Sequence, residues 1–514
     1  MPGRRTFLLL LALTFAIPLI PMLCTRLLST MSQNTTTAAA PSARRAIVVG
    51  SGLAGLSAAS TLLSAHHPVT LLERLPKPGG NSIKASSGIN GAPTRYQPAS
   101  LPEDDAFYAD TVRSAGAAFA DKSSPTRDAL IRTLTQRSKD AIYWLADAKG
   151  IDLSVVAQLG GHSRARTHRG AGPTPPGAAI VTTLLKELNA SPDFTLLTNV
   201  TVTRLLPRDD GGPGVAGVEY YHSDAEGGEK RELRGPVVFA TGGFAGDAAG
   251  MLKTYRPDLA GFPSTNEAWP GSAPLLTAPA VGARLVDMEM VQVHPTGFVD
   301  PAAVGAPVKF LAAEVLRGEG GLMLRGGRRF VDELQTRQVV TDRITEGGPD
   351  EVVDGVKVWD VKIVLDEGAY RAAKSHVGFY LFKGLMQKTT VGELGGEQAV
   401  KELQAFADAA AGKAKDPLGR KAFGHWELKD VTPESVVYVG RVTPVVHFTM
   451  GGVVINDKAE VLDKDDKPIE GVWAAGEVSG GIHGANRLGG SSLLECVVYG
   501  RIAGEQAAES LRKE

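Results

Sequence analysis

Residues Arg45–Glu73 read RAIVVGSGLAGLSAASTLLSAHHPVTLLE, and this stretch decides the fold. Ala46–Val49 is an apolar strand, the run GSGLAG at 50–55 follows at once, and Leu56–Leu63 continues as an Ala/Leu helix. Val69–Leu72 is the next strand and ends in Glu73, an acid 23 residues beyond the first glycine. Strand before, helix after and acid at that spacing are the context in which G-x-G-x-x-G binds a dinucleotide. Gly50 makes the turn, Gly52 lets a pyrophosphate approach the backbone, and Gly55 lets the helix pack on the strand. Ser51, Leu53 and Ala54 complete the loop. Glu73, with Arg74 beside it, stands where a ribose hydroxyl pair is held.

Other segments deliver glycines in the same manner. Lys230–Ala240 reads as a strand ending in Thr241-Gly242-Gly243, and Gly471–Ala475 as one ending in Gly476-Glu477. Small-residue clusters at Gly79-Gly80-Asn81-Ser82 and Ala85-Ser86-Ser87-Gly88 can wrap a ligand with backbone N–H groups. A glycine-crowded loop then carries His483 and Arg487, and Ser491-Ser492-Leu493 opens a helix that runs through Gly504. A helix start presents unpaired N–H groups to a flat or anionic ligand. Three strand ends on one sheet suit a two-part nucleotide such as FAD, held along its whole length, with Arg487 facing a substrate.

The chain has 514 residues, a net charge of −1 and two cysteines, Cys24 and Cys496. That length supports two to four domains. The charge argues against nucleic acid as a partner. Two cysteines allow no CxxC pair, no CxxCH haem attachment and no cysteine cluster for iron–sulfur or zinc, so no metal site is expected. Redox chemistry here falls to an organic cofactor. Arg4-Arg5 before a Leu-rich run to Thr25, with no acid before Glu73, reads as a targeting segment for the endoplasmic reticulum or mitochondrion. Pro18 and Pro21 make it a poor permanent anchor, and a start at Met31 would leave a cytosolic form.

The expected domains are a targeting segment at 1–43, a nucleotide domain at 44–288 and 448–514, and an inserted capping domain at 289–447. The nucleotide domain carries strands at Thr195–Leu206 and Val215–His222 and a helix at Gly177–Asn189. Another helix starts at Ser124-Pro125 and runs to about Lys149. In the insert, helical patterns dominate, at Phe310–Leu316, Asp366–Ser375 and Glu397–Ala411. Polar runs, including Asp457–Lys467, read as surface loops.

Near the insert's borders lie His294, Glu314, Arg317, Arg337 and His447. Each has an ordinary reading: a structural histidine before proline, a helical i, i+3 ion pair, a surface arginine. Converging with Arg487, two arginines and two histidines would suit a small dianion, gripped by bidentate guanidinium–carboxylate contacts.

Six segments carry a resemblance: GSGLAGL (50–56), HPT (294–296), AAEVLRG (312–318), RRFVDELQTR (328–337), VVHFTMGG (445–452) and HGANRLGGSSLLE (483–495). In this order they resemble the soluble FAD-dependent fumarate reductases of fungal type, within the fumarate reductase/succinate dehydrogenase flavoprotein family. The resemblance covers Arg45 to Gly504. It implies an α/β fold, a Rossmann-like FAD-binding domain with an inserted α+β capping domain. It implies reduction of fumarate to succinate, with Arg487 and His447 binding the carboxylates, His294 helping, and Arg337 donating the proton. Glu314 and Arg317 would reload Arg337. Hydride from flavin N5 leaves charge on the far carboxylate, which fixed cations stabilise. The carbanion is basic enough to take a proton even from a guanidinium, whose pKa lies above ~12.

Departures from the family pattern are informative. Relatives with covalent FAD attach it through a histidine early in the flavin domain; no histidine occurs between His67 and His162, and Asn81 falls near the place, so non-covalent FAD is expected. Ala313 replaces a frequent threonine, and Gln338 a frequent aspartate. Pro270-Gly-Ser-Ala273 replaces a Thr-Gly-Asp-Gly element. A reduced free flavin (FADH2 or FMNH2) or another small donor would supply electrons to a monomer, with membrane contact at most through the N-terminal segment. Alternatives are reduction of another alkenoic acid such as urocanate, or oxidation of L-aspartate or succinate on the same scaffold.

Overall fold

The computed structural model describes residues 45–97, 104, 106–120, 126–223 and 228–513. The expected targeting segment and the helix start at Ser124-Pro125 lie outside the described residues. A six-stranded sheet is built in the order Glu460–Leu462, Pro468–Ala474, Val237–Phe239, Ala46–Val49, Val69–Leu72, Phe194–Leu197. The last five are mutually parallel, and only the edge strand Glu460–Leu462 is antiparallel. The two strands at the middle of the sheet, Val237–Phe239 and Ala46–Val49, are apolar and buried throughout, as parallel strands covered on both faces need to be. Their carboxyl ends place Gly50, Thr241 and Gly476 along one edge, where ligands of open α/β sheets bind.

Two helices fix that edge. Leu53–Ser64 follows Gly52, and Ser491–Lys513 packs against it. The approach is close because Gly500 and Gly504, four residues apart on one face, meet the backbone at Ala54 and Ala58. A Cβ at these glycines would stand 2.4 Å and 2.7 Å from the carbonyl oxygens. Both helix N-termini are thereby aimed at the same strand ends.

The segment between Val291 and Thr449 forms a second core, and here the expectation of helical dominance is overturned. Its centre is a five-stranded antiparallel sheet. The 14-residue strand Val436–Thr449 pairs with Val291–Phe298, Val361–Leu365 and Gln387–Thr390, and Leu322–Leu324 pairs with Val361–Leu365. One apolar cluster gathers around Phe298, Trp359 and Tyr380, another around Phe406 and Trp426.

Boundaries differ elsewhere for local reasons. Of the expected helix Phe310–Leu316 only Val315 and Leu316 are helical, as the start of the short helix Val315–Gly318. The backbone before it is taken by the sheet: Phe298 N donates to Phe310 O at 2.7 Å and Ala312 N to Thr296 O at 3.0 Å. The strand read as Thr195–Leu206 breaks at Asn199, whose φ is +56°, so its halves join different sheets. The expected helix to Lys149 is interrupted at Arg137 and ends in a π-turn, Trp144–Ala148. Within the polar run Asp457–Lys467 lies the edge strand Glu460–Leu462, so that run is more than a loop.

Candidate active site

One cavity of about 1550 Å³ runs along the strand ends and reaches into the second core. Gly50, Ser51, Gly52, Leu53, Ala54, Glu73, Arg74, Gly80, Asn81, Ser82, Ser86, Ser87 and Gly88 line it. So do Thr241, Gly242, Gly243, Glu477, Ser492 and Leu493, and at its inner part Arg337, His447 and Arg487. Two of the expected cofactor residues stand beneath the wall instead. A Cβ on Gly55 would lie 1.9 Å from Gly50 O, so this position packs helix on strand. Ser491 is fully buried and its hydroxyl accepts from Asn90 Nδ2 at 2.9 Å.

The wall fits FAD. Gly50 has φ +102° and lies where a Cβ would meet Ala240 O at 2.4 Å, so only glycine makes this turn. Gly242, φ +77°, has nothing within 4 Å of its Cβ direction and leaves room for a ligand. The helix starting at Leu53 has no side-chain cap from Gly52; Leu53 N donates to the Ser82 hydroxyl at 3.0 Å, which leaves the other N–H groups of the first turn to a pyrophosphate. Glu73 holds the loop in shape: it accepts from Ser51 N at 3.0 Å, from the Ser51 hydroxyl, and from Leu75 N at 2.8 Å. Asn81 donates to Asn266, which in turn donates to His447 O at 2.9 Å, linking the cofactor wall to the inner end. Burial raises the Glu477 carboxyl to about 7, with Thr449 N and its hydroxyl donating to it.

At the inner end two guanidiniums share one oxygen. Gln292 Oε1 accepts from Arg337 at 2.8 Å and from Arg487 at 3.1 Å. Its amide nitrogen donates to Asn486 Oδ1 at 2.9 Å and to Arg487 O at 2.8 Å, so the carboxamide cannot turn without losing all four bonds. Arg337 also grips Glu314 Oε2 through Nε at 2.7 Å and Nη2 at 2.5 Å. Arg487 is covered by Phe448, 4.2 Å from its ring centre, and its Nε has no hydrogen-bond partner among the described residues. Burial and the neighbouring Arg337 lower the Arg487 guanidinium to about 9.

Behind this layer lie the residues expected to relay protons and to help bind substrate. Glu314, Arg317 and His294 are buried and stand off the cavity wall. Arg317 Nη2 is 3.6 Å from Glu314 Oε1, and Arg317 Nη1 donates to Glu333 O at 2.7 Å. Burial would raise the Glu314 carboxyl, but Arg337 and Arg317 outweigh it and hold it down at about 2. His294 Nδ1 accepts from Thr296 N at 3.2 Å, and its Nε2 is 4.0 Å from Glu314 Oε2. The His294 and His447 rings lie 5.3 Å apart. Burial, reinforced by the arginines, depresses both imidazoles well below their ordinary values. The Thr265 hydroxyl meets His447 Nδ1 at 2.8 Å. His483 pairs with Glu495 and is absent from the cavity wall.

Sequence reasoning missed Gln292 and Thr265. Gln292 had a signal, since it stands two residues before His294 on a strand and shares its face. Thr265 is 182 residues from His447 and had none.

A family model described as an FAD binding domain matches residues 45–493. The chain is 44% identical over 480 residues to fumarate reductase 1 of Saccharomyces cerevisiae, covering 90% of this chain and 98% of that protein. It is 40% identical to the fumarate reductase of Schizosaccharomyces pombe, covering 91% and 90% respectively. Among solved structures, the open conformation of a flavocytochrome c3 fumarate reductase superposes with a TM-score of 0.68 at 30% identity, covering 91% of this chain and 78% of that one. The glycine-lined strand ends, the cavity and these matches agree: the chain belongs to the FAD-binding flavoprotein family that contains the fungal fumarate reductases.

Proposed function

We propose that this flavoenzyme reduces fumarate to succinate. The observation that carries the reading is the pair of guanidiniums, Arg337 and Arg487, set on one oxygen of Gln292 at the inner end of the FAD cavity. FAD, when bound, supplies hydride to one alkene carbon. Arg487, whose Nε has no partner among the described residues, takes one substrate carboxylate in a charge-assisted contact. His447, neutral at pH 7 because burial and two arginines disfavour its charged form, donates a hydrogen bond rather than a charge. His294 stands behind it and shapes its position. Arg337 reaches the cavity and gives the proton to the second carbon. Glu314, ionised and in contact with Arg337 and Arg317, returns the proton along the buried line.

On this reading residues 44–288 and 448–514 hold FAD without a covalent bond, and residues 289–447 close over the substrate. The electrons come from a small diffusible donor, a reduced flavin, to a monomeric enzyme. No helix among the described residues is long and apolar enough to cross a membrane. The N-terminal segment directs the protein to the mitochondrion or endoplasmic reticulum. The test is Arg337→Ala: the purified variant should keep its flavin spectrum and lose fumarate-dependent reoxidation. A variant that turns over like the parent sinks the reading, as would a parent that reoxidises with urocanate and not with fumarate.

A further inference from the structure

Aromatic rings on the cavity's outer wall have no role in the reading above. Phe310 and Phe379 line the cavity and are 50% and 40% exposed, unusual for rings of that size. Their centres are 5.4 Å apart at 42°, so they form one continuous aromatic surface. Phe379 lies on the helix Lys374–Phe382, which is fixed to the cofactor wall where His376 Nε2 meets Ser86 O at 2.8 Å. Lys383 also lines the cavity, with its ammonium 5.9 Å from the Phe379 ring centre, and it forms no ion pair among the described residues. Asp300 is the acid on this part of the wall, and Lys309, beside Phe310, is turned to Val304 O.

A dicarboxylate has no apolar face to set on two phenyl rings, and its charges are answered deeper in the cavity. The dinucleotide is answered by the strand ends and the two helix N-termini. The cavity exceeds the roughly 300–1,000 Å³ of ordinary small-molecule sites. A flat aromatic ring system with an anionic tail matches what remains: rings stack on the phenyl surface and the tail meets Lys383. The geometry points to this aromatic shelf as the docking site of the electron donor, a reduced isoalloxazine nucleotide of the FMNH2 type. The inference rests on the fumarate-reducing reading. Over one turnover FMNH2 loses two electrons and two protons to become FMN. Fumarate gains them, exchanging its C=C π bond for two C–H bonds.

The experiment titrates oxidised FMN and riboflavin separately into the FAD-loaded enzyme by calorimetry, and measures KM for photoreduced FMNH2. Saturable FMN binding is expected in the parent. Phe310→Ala/Phe379→Ala should weaken FMN and riboflavin alike, about tenfold or more, and raise the FMNH2 KM by a similar factor. Phe379→Tyr should bind as the parent does. Lys383→Glu should weaken FMN and leave riboflavin unchanged. A chemically reduced enzyme mixed once with fumarate needs no donor, so reoxidation there tests the fumarate reading alone and should be equal in parent and variants. The docking site is overturned if the parent binds no FMN, or if the double alanine variant binds it as tightly as the parent. It is equally overturned if the shelf proves to be a dimer contact, seen as a change in sedimentation of the double variant with FMN binding intact.

Discussion

Replacing Glu314 by glutamine removes the one carboxylate among the described residues that is in contact with both Arg337 and Arg317. Its folded-state value of about 2 lies below the 4.5 of an ordinary glutamate. A gap of that size corresponds to about 3 kcal/mol favouring the ionised, folded form. The sign follows from the direction: a depressed carboxylate contributes stability that is fully present above about pH 4.5 and is lost as pH falls toward 2. The variant should therefore be about 3 kcal/mol less stable at pH 7, within the range for breaking a buried pair. The gap to the parent should shrink below pH 4.5. Urea unfolding of the FAD-loaded proteins at pH 7 and at steps down to pH 3 measures this. Turnover should fall by about 100-fold or more, the scale of a lost proton-transfer group. Equal stability at pH 7, or the same loss of stability on acidification in both proteins, would refute the electrostatic reasoning. Undiminished turnover would refute the relay.

Thr265→Val removes the hydroxyl on His447 Nδ1, and KM for fumarate should rise about five- to tenfold, the worth of one hydrogen bond, with kcat less affected. Thr265→Ser should restore it, and a serine variant as poor as valine argues against the hydrogen bond. Gly50→Ala sets a Cβ 2.4 Å from Ala240 O at φ +102°, so a loss of about 2–4 kcal/mol and of bound FAD is expected, read from melting temperature and the flavin-to-protein absorbance ratio. Glu477, raised to about 7 by burial, works in the opposite sense to Glu314. FAD-free protein should lose stability as pH rises from about 4.5 to 7, on the order of 3 kcal/mol, and Glu477→Gln should flatten that slope in urea titrations at each pH.

How much could be read beforehand depended on the distance over which each signal acts. Gly50, Gly242 and Gly476 were legible because a strand end followed by glycine is a local pattern, and the parallel sheet brought the three together. Arg337 and Arg487 were legible as candidates through the motifs around them. Their separation was not, because it is set by Gln292, a side chain whose only local mark was its register with His294. The insert misled for a physical reason: residues 310–313 have helix-compatible composition, but Phe310 O and Ala312 N are taken by Val291–Phe298, and Leu311 O and Ala313 N by the Tyr380 hydroxyl. Tertiary pairing overrode propensity there.

The strands Val291–Phe298 and Val436–Thr449 run antiparallel, and their pairing continues toward the other core where Leu285–Val286 meets Gly452–Val454. This ribbon joins the two cores, with Phe298 and Val442 packed in one and Val453 in the other. Such a ribbon resists sliding, which would break its ladder, and yields to bending across its plane. Gln292, His294, His447 and Phe448 sit near the fold line, where bending sweeps the smallest arc. Opening the cavity by this hinge would carry the Phe310–Phe379 shelf farthest and disturb the two histidines least. A cavity opened this way would keep Gln292 and the two histidines in their strand register while ligands pass.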